Sequence, residues 1–325
     1  MNKKAAVIIA VSLLLALLGV VLSVSVGASG MPLDRALNGV LGRGSAADNA
    51  IIQGLRLPRA LLAYLVGACL AVAGALLQGV FINPMADPQI LGVSAGAGLG
   101  AAVVIAYGAF LGQIGVGVGA FIGGIVAVLT ILFVTRGGRS AMSLILSGLA
   151  LTSFLSAISF FIMVLNRNKM DQIMLWTMGG FTAVSWEKVL FLAPVAILGF
   201  FIALAFARNL NLISSGEEDA WHLGVDVERV RRSLLLLVAA MTAAAVSVSG
   251  MIGFVGLMVP HMVRILAGPD HRGLIPCSFC VGGVFLMLTD TLARVLAAPL
   301  EIPVGVITAL LGTPFFIYLI KRRSL

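Results

Sequence analysis

Ten apolar runs, separated by short polar or Gly/Pro breaks, constrain this chain more than any other feature. They span roughly 5–26, 58–81, 91–108, 113–135, 140–165, 187–207, 233–253, 255–267, 273–296 and 304–320. A helix needs roughly 20 apolar residues to cross about 30 Å of hydrocarbon. Most of the runs meet that length, and they show no alternating polar face of the kind a soluble core element carries. With 10% of its residues charged and 60% hydrophobic, the chain is read as an all-α polytopic membrane protein with about ten transmembrane helices. It forms a single transmembrane domain, 1–325. The eighth run is too short to span alone, unless the bilayer is thin there or its helix starts inside the protein. A short helix is expected near the membrane surface between Met170 and Met178.

The first run is 22 residues long, beyond the roughly 7–15 of a signal-peptide core, so it reads as a span. Lysine and arginine counts set the orientation. With the N-terminus inside, the inner set is Lys3, Lys4, Arg136, Arg139, Arg208, Arg229, Arg231, Arg232, Arg264, Arg272, Lys321, Arg322 and Arg323, thirteen residues. The outer set is Arg35, Arg43, Arg56, Arg59, Arg167, Lys169, Lys188 and Arg294, eight residues. Thirteen against eight places both termini in the cytoplasm. Arg56, Arg59 and Arg294 run against the rule and need a reason. Glycines repeat every four residues at Gly115, Gly119 and Gly123, and at Gly96 and Gly100, which marks close packing between adjacent spans. Pro194 and Pro260 fall within spans, where each removes a backbone hydrogen bond.

No catalytic constellation is present. The chain has no G-x-x-x-x-G-K-[ST] loop and no H-E-x-x-H, and its three histidines are scattered. This argues against an intramembrane enzyme. Cys277 and Cys280 have neither a second pair nor a nearby histidine, so with Cys69 they read as small buried hydrophobes. Asp290 and Arg294 stand one helical turn apart, acid first, as an intrahelical ion pair. No relay of acids crosses the membrane, which weakens the alternative of an ion-coupled secondary carrier of a small solute. The basic residues are dispersed between apolar runs, so nucleic acid is not an expected partner. The chain reads as a pathway without its own energy source.

One hydrophilic island breaks the apolar pattern. Residues 216–232 combine acids near the start, an aromatic, two glycines and a basic end. An island of this kind suits a surface presented to water beneath the membrane. Glu217, Glu218 and Asp219 favour a helix N-terminus, and Arg229 to Arg232 favour the inner end of the following span.

Several long motifs now come into register. They are Leu55-Arg-Leu-Pro-Arg59, Asn83-Pro-Met-Ala-Asp-Pro-Gln-Ile-Leu-Gly-Val-Ser-Ala-Gly96 and Gly253-Phe-Val-Gly-Leu-Met-Val-Pro-His-Met-Val-Arg264. Asp270-His-Arg272, Asp290-Thr-Leu-Ala-Arg294 and Glu301-Ile-Pro-Val-Gly-Val-Ile-Thr-Ala-Leu-Leu-Gly-Thr-Pro-Phe-Phe316 follow. From about residue 50 to the C-terminus the chain resembles the FecCD-type permeases of ATP-binding cassette importers for ferric siderophores, haem and cobalamin. The resemblance implies a BtuC-like fold, a homodimer with a second copy of the chain, and a multi-pass position in the bacterial cytoplasmic (inner) membrane. It implies two cytoplasmic ATPase subunits that bind the ATP and magnesium, with no cofactor on this chain, and one periplasmic or lipid-anchored substrate-binding protein.

The same resemblance assigns residues. A cytoplasmic coupling loop, 209–232, would meet the ATPases through Gly216, Glu217, Glu218, Asp219, Ala220, Trp221, His222, Leu223 and Gly224. Trp221 would anchor in the ATPase cleft or rest on the lipid interface. Arg56, Arg59 and Arg294 would meet acidic residues of the binding protein, which accounts for the outer positive charge. The fifth and tenth spans would line the path, through Ser143, Ser147, Thr152, Ser156, Met163, Thr308 and Thr313. The cargo would be a bulky metal chelate, a size class that rests on analogy.

Overall fold

The computed structural model describes residues 3–26, 31–135, 141–298 and 300–323. Arg136 and Arg139 of the inner set therefore lie outside the described residues. Among the described residues every regular element is helical. In chain order these are α1 (Lys3–Ser25), α2 (Leu33–Val40), α3 (Ala46–Ile51), α4 (Leu57–Val80), α5 (Val93–Tyr107), α6 (Gly112–Val134), α7 (Ala141–Leu165) and α8 (Met170–Thr177). There follow α9 (Trp186–Ala205), α10 (Ala207–Ser215), α11 (Glu217–His222), α12 (Val227–Ser249), α13 (Val255–Ala267), α14 (His271–Leu296) and α15 (Val304–Arg323). Each of the ten apolar runs becomes a helix, and α8 forms where a surface helix is expected. α2 and α3 were not foreseen. They precede α4, and Ser45 caps α3 by accepting from the Asp48 amide at 3.1 Å.

Small residues decide which helix sits at the centre. α4 carries glycine or alanine at nearly every other position and packs against α1, α9, α12, α13 and α14. Its apolar window is 83% buried, against 11% for α7, so α4 is the hub and α7 lies open at the rim. A Cβ on Gly67 would overlap the Gly282 carbonyl of α14, and one on Gly74 would overlap the Gly256 carbonyl of α13. In lipid, where apolar surface gains little by turning inward, such close approach provides the van der Waals contact that holds helices together. The predicted α5–α6 seam forms the same way: Gly96 faces Gly123 and Gly100 faces Gly119, backbone against backbone. Gly115 does not join this seam, since a Cβ there would meet its own neighbour Leu111.

Among the described residues seven helices are long and apolar enough to cross a membrane, and three shorter apolar ones join them: α5, α13 and most of α15. α13 is short because it begins inside the protein. Its first residues pack on the middle of α4, and the Phe254 ring lies over Gly312, midway along α15. Phe254 takes a left-handed φ of 66°, a costly conformation for a bulky residue that this tight break imposes. Backbone groups exposed by the α12–α13 break are satisfied locally, as non-helical backbone at membrane depth requires. The Gly180 amide donates to the Ser249 carbonyl at 2.7 Å. Gln89 donates to the Ile252 carbonyl at 3.3 Å.

Candidate functional site

The hydrophilic island folds into a compact elbow between α9 and α12. α10 and α11 are short helices joined at Gly216, whose φ of 147° lets the chain turn sharply. Ala220 and Val225 tuck inward, while Trp221 and Leu223 are each 67% exposed. Two large apolar side chains held in solvent on a rigid turn form a knob. His222 stacks edge-on against Trp221 and is itself exposed. The three acids of the first turn separate in role: Glu218 and Asp219 face outward, whereas Glu217 pairs with the buried Arg231 of α12. The second half of the island, from Val227 onward, is the first turns of α12 rather than loop.

A second polar join lies beside the elbow. Asn211 of α10 donates to the Asp270 carboxylate at 2.6 Å and accepts from the His271 backbone amide at 2.9 Å. Asp270 also caps α14, accepting from the Arg272 amide at 3.0 Å. That backbone amide, then the Asn211 amide and the neighbouring Arg272 charge, hold the Asp270 carboxyl below the usual carboxylate range. Nothing in the local sequence around Asn211 marks this contact. The Asp270-His-Arg272 motif marked only one half of it.

At the opposite end of α4 and α14, five charged side chains form one network. Asp290 is fully buried. Arg59 donates to it through Nη2 at 2.9 Å and Nε at 3.0 Å. Arg294 Nε lies 3.3 Å from the same carboxylate, so the intrahelical pair read from the sequence exists. Arg59 Nη1 donates on to Glu301 at 2.9 Å. Arg294 and Arg56 turn toward the end of α1. Arg294 donates to the Val26 carbonyl at 2.9 Å and the Ser23 hydroxyl at 2.8 Å, and Arg56 donates to the Val24 carbonyl. The last carbonyls of a helix have no partner within it and carry partial negative charge, so two cations there satisfy both needs.

The three outer arginines are therefore largely spent inside the chain. Arg56 and Arg294 are buried, and the Arg59 side chain keeps only 14% exposure. Arg59 and Glu301 reach the edge of a cleft of about 460 Å³, lined also by Gln113, Lys169, Trp176 and Lys188. The expected path residues divide as well. Ser143 and Thr313 are exposed, and Ser147, Thr152, Ser156 and Met163 are half-buried. Thr308 is fully buried, its hydroxyl donating to the Gly305 carbonyl at 3.0 Å, so it faces its own chain rather than open space. Cys69, Cys277 and Cys280 are buried thiols, as small hydrophobes would be. Among the described residues no three His, Cys, Asp or Glu side chains gather in a way that could hold a metal.

Comparison with known proteins fits this architecture. The model of the FecCD transport family matches residues 14–322. The cobalamin import system permease protein BtuC of Halobacterium salinarum is 47% identical over 276 residues, 84% of this chain and 74% of that protein. The hemin transport system permease protein HmuU of Yersinia pestis is 42% identical, covering 83% of this chain and 82% of its own length. A solved inward-facing structure of a metal-chelate type ABC transporter superposes with a TM-score of 0.87 at 33% identity, over 97% of this chain and 99% of that one.

Proposed function

We propose, since this chain belongs to the FecCD transport family of ATP-binding cassette importer permeases, that two copies of it form a membrane conduit for a metal chelate. The chain is an integral membrane protein of the importer class; its family supports a place in the bacterial cytoplasmic membrane, and the charge count supports both termini inside. Relatives at 47% and 42% identity are named for cobalamin and haemin, which supports a bulky chelate of that kind over a small ion. An extracytoplasmic binding protein delivers it. The open face of α7 and the exposed part of α15 face the two-fold axis, with Ser143, Ser147, Thr152, Ser156, Met163 and Thr313 toward the cargo. Arg59 meets the binding protein at the edge of the outer cleft, while Arg56 and Arg294 support that surface by holding the end of α1.

One observation carries the energetic side of this reading: the rigid elbow that holds Trp221 and Leu223 in solvent. Exposed aromatic anchors dominate binding at protein interfaces. The elbow, residues 216–224, is where two ATPase subunits attach, and hydrolysis of ATP on those subunits drives the conduit between outward- and inward-open states. The test is co-purification of the chain with the P-loop ATPase encoded beside it. Trp221→Ala loses about 2 kcal/mol of attachment, so roughly 30-fold in affinity. Unchanged attachment would refute the assignment of the elbow. Uphill uptake by vesicles that contain this chain and no ATPase would refute the function itself.

A further inference from the structure

The elbow must move the spans if it is to do work, and a loop that merely hangs between α9 and α12 would absorb the motion. α10 is not loosely hung. Leu210, fully buried, and Asn211 wedge α10 between the inner end of α4 and the start of α14. Every polar atom of the Asn211 side chain is used: Nδ2 donates to Asp270 Oδ1, and Oδ1 accepts from the His271 backbone amide. Asn211 Oδ1 also lies 2.8 Å from His271 Nδ1. Because Oδ1 can only accept, Nδ1 carries the proton and Nε2 is left bare. That bare nitrogen is buried, has no hydrogen-bond partner, and lies against Gly79 of α4, where a Cβ would stand 2.6 Å from it. The histidine ring is thus a spacer between α10 and α4, fixed in rotation by one asparagine.

α14 then continues as one helix of 26 residues, with Pro276 in its second turn, through Asp290 and Arg294, which hold Arg59 of α4 and the end of α1. Both ends of the α4–α14 pair are locked, one by a charge network and the other by this amide–carboxylate clasp. A rigid element with both ends fixed can carry displacement across the membrane, whereas a frayed one cannot.

We infer that Asn211 is a positioning residue for energy coupling: through Asp270 and His271 it clamps α10 to α14 and α4, so that motion of the ATPase-bound elbow becomes motion of the spans. The clasp rests on the reading of the elbow as the ATPase contact. Its role is to transmit, not to attach. The two links out of the elbow are therefore distinct, since the Glu217–Arg231 pair ties α11 to α12 alone.

An added charge tests this in the assembled complex of permease and ATPase in lipid nanodiscs. Met142→Cys provides an exposed label on α7, and Cys69, Cys277 and Cys280 are buried and stay unlabelled. Spin-label distances between the two copies are measured with and without ATP and vanadate. Asn211→Asp sets two carboxylates against each other where one amide met one carboxylate. The nucleotide-driven distance change then falls about tenfold in population, a typical coupling strength, while the ATPase stays attached and hydrolyses ATP. A full distance change in Asn211→Asp overturns the inference. Loss of ATPase attachment in Asn211→Asp also overturns it, since the clasp would then serve docking. If the Met142→Cys parent itself shows no nucleotide-driven change, or Trp221→Ala leaves attachment intact, the reading of the elbow fails and the clasp falls with it.

Discussion

Replacing Asp290 with asparagine should destabilise this protein more than any other single charge removal. The side chain keeps its volume and loses only its charge, and its carboxylate is fully buried with both oxygens in use. Arg59 and Arg294 then lose the buried carboxylate they share. Removing one partner of a buried ion pair costs about 3–5 kcal/mol, because the cation left behind has no counter-charge and no water. Glu301→Gln removes the same charge from the same arginine, but the Glu301 side chain is 42% exposed, and such a pair is worth about 0–1 kcal/mol. For a chain of this size the first figure corresponds to roughly 5–10 °C in thermal midpoint and the second to at most about 2 °C. The buried thiols Cys69, Cys277 and Cys280 provide the assay, since a thiol-reactive dye reports their exposure as the purified chain is heated in detergent at one fixed rate. Equal shifts for the two variants, or a shift under 2 °C for Asp290→Asn, would refute the view that this network holds α1, α4 and α14 together.

Three further outcomes follow from the packing and the caps. Gly74→Ala places a methyl group on the Gly256 carbonyl, where backbone cannot yield cheaply, and should cost roughly 1–3 kcal/mol in the same dye assay; Gly54→Ala, with open space around it, should cost nothing. Introduced cysteines should separate the expected path residues: Thr313→Cys reacts with a water-soluble thiol reagent in the folded chain, and Thr308→Cys does not until unfolding. The depressed pKa of Asp270 makes its cap a source of stability that is complete above the ordinary value of 3.8 and lost as pH falls through the lower folded value. Hydrogen exchange at the first amides of α14 should therefore rise below about pH 3.8, and Asp270→Asn should flatten that dependence; protection that stays constant in the parent would show that the carboxylate does not hold the cap.

Much of the fold was legible because hydropathy is a local, additive property. A run of about 20 apolar residues needs a helix in lipid whatever surrounds it, and so the ten spans, the α8 surface helix and the glycine seam of α5 and α6 could be read directly. The short eighth run was legible as a problem, and its answer lay in the start of α13 against α4 and α15. The island at 216–232 stood out for the same local reason, its polarity. Where it bends and which of its acids turns inward did not.

Family membership and the number and order of the apolar helices were determined by sequence alone, since each depends on composition, spacing or motif order along the chain. Which side chains point inward was decided only by the tertiary structure. α7 and α15 are apolar on all sides, so no stripe of polar residues sets their rotation, and Thr308 and Thr313 look alike until the helix is packed. Arg59 finds Asp290 across 231 residues, and Asn211 finds Asp270 across 59. Such partners are chosen by how helices pack, because a buried charge or amide must find its complement wherever packing brings one within reach, and no local pattern along the chain encodes that distance.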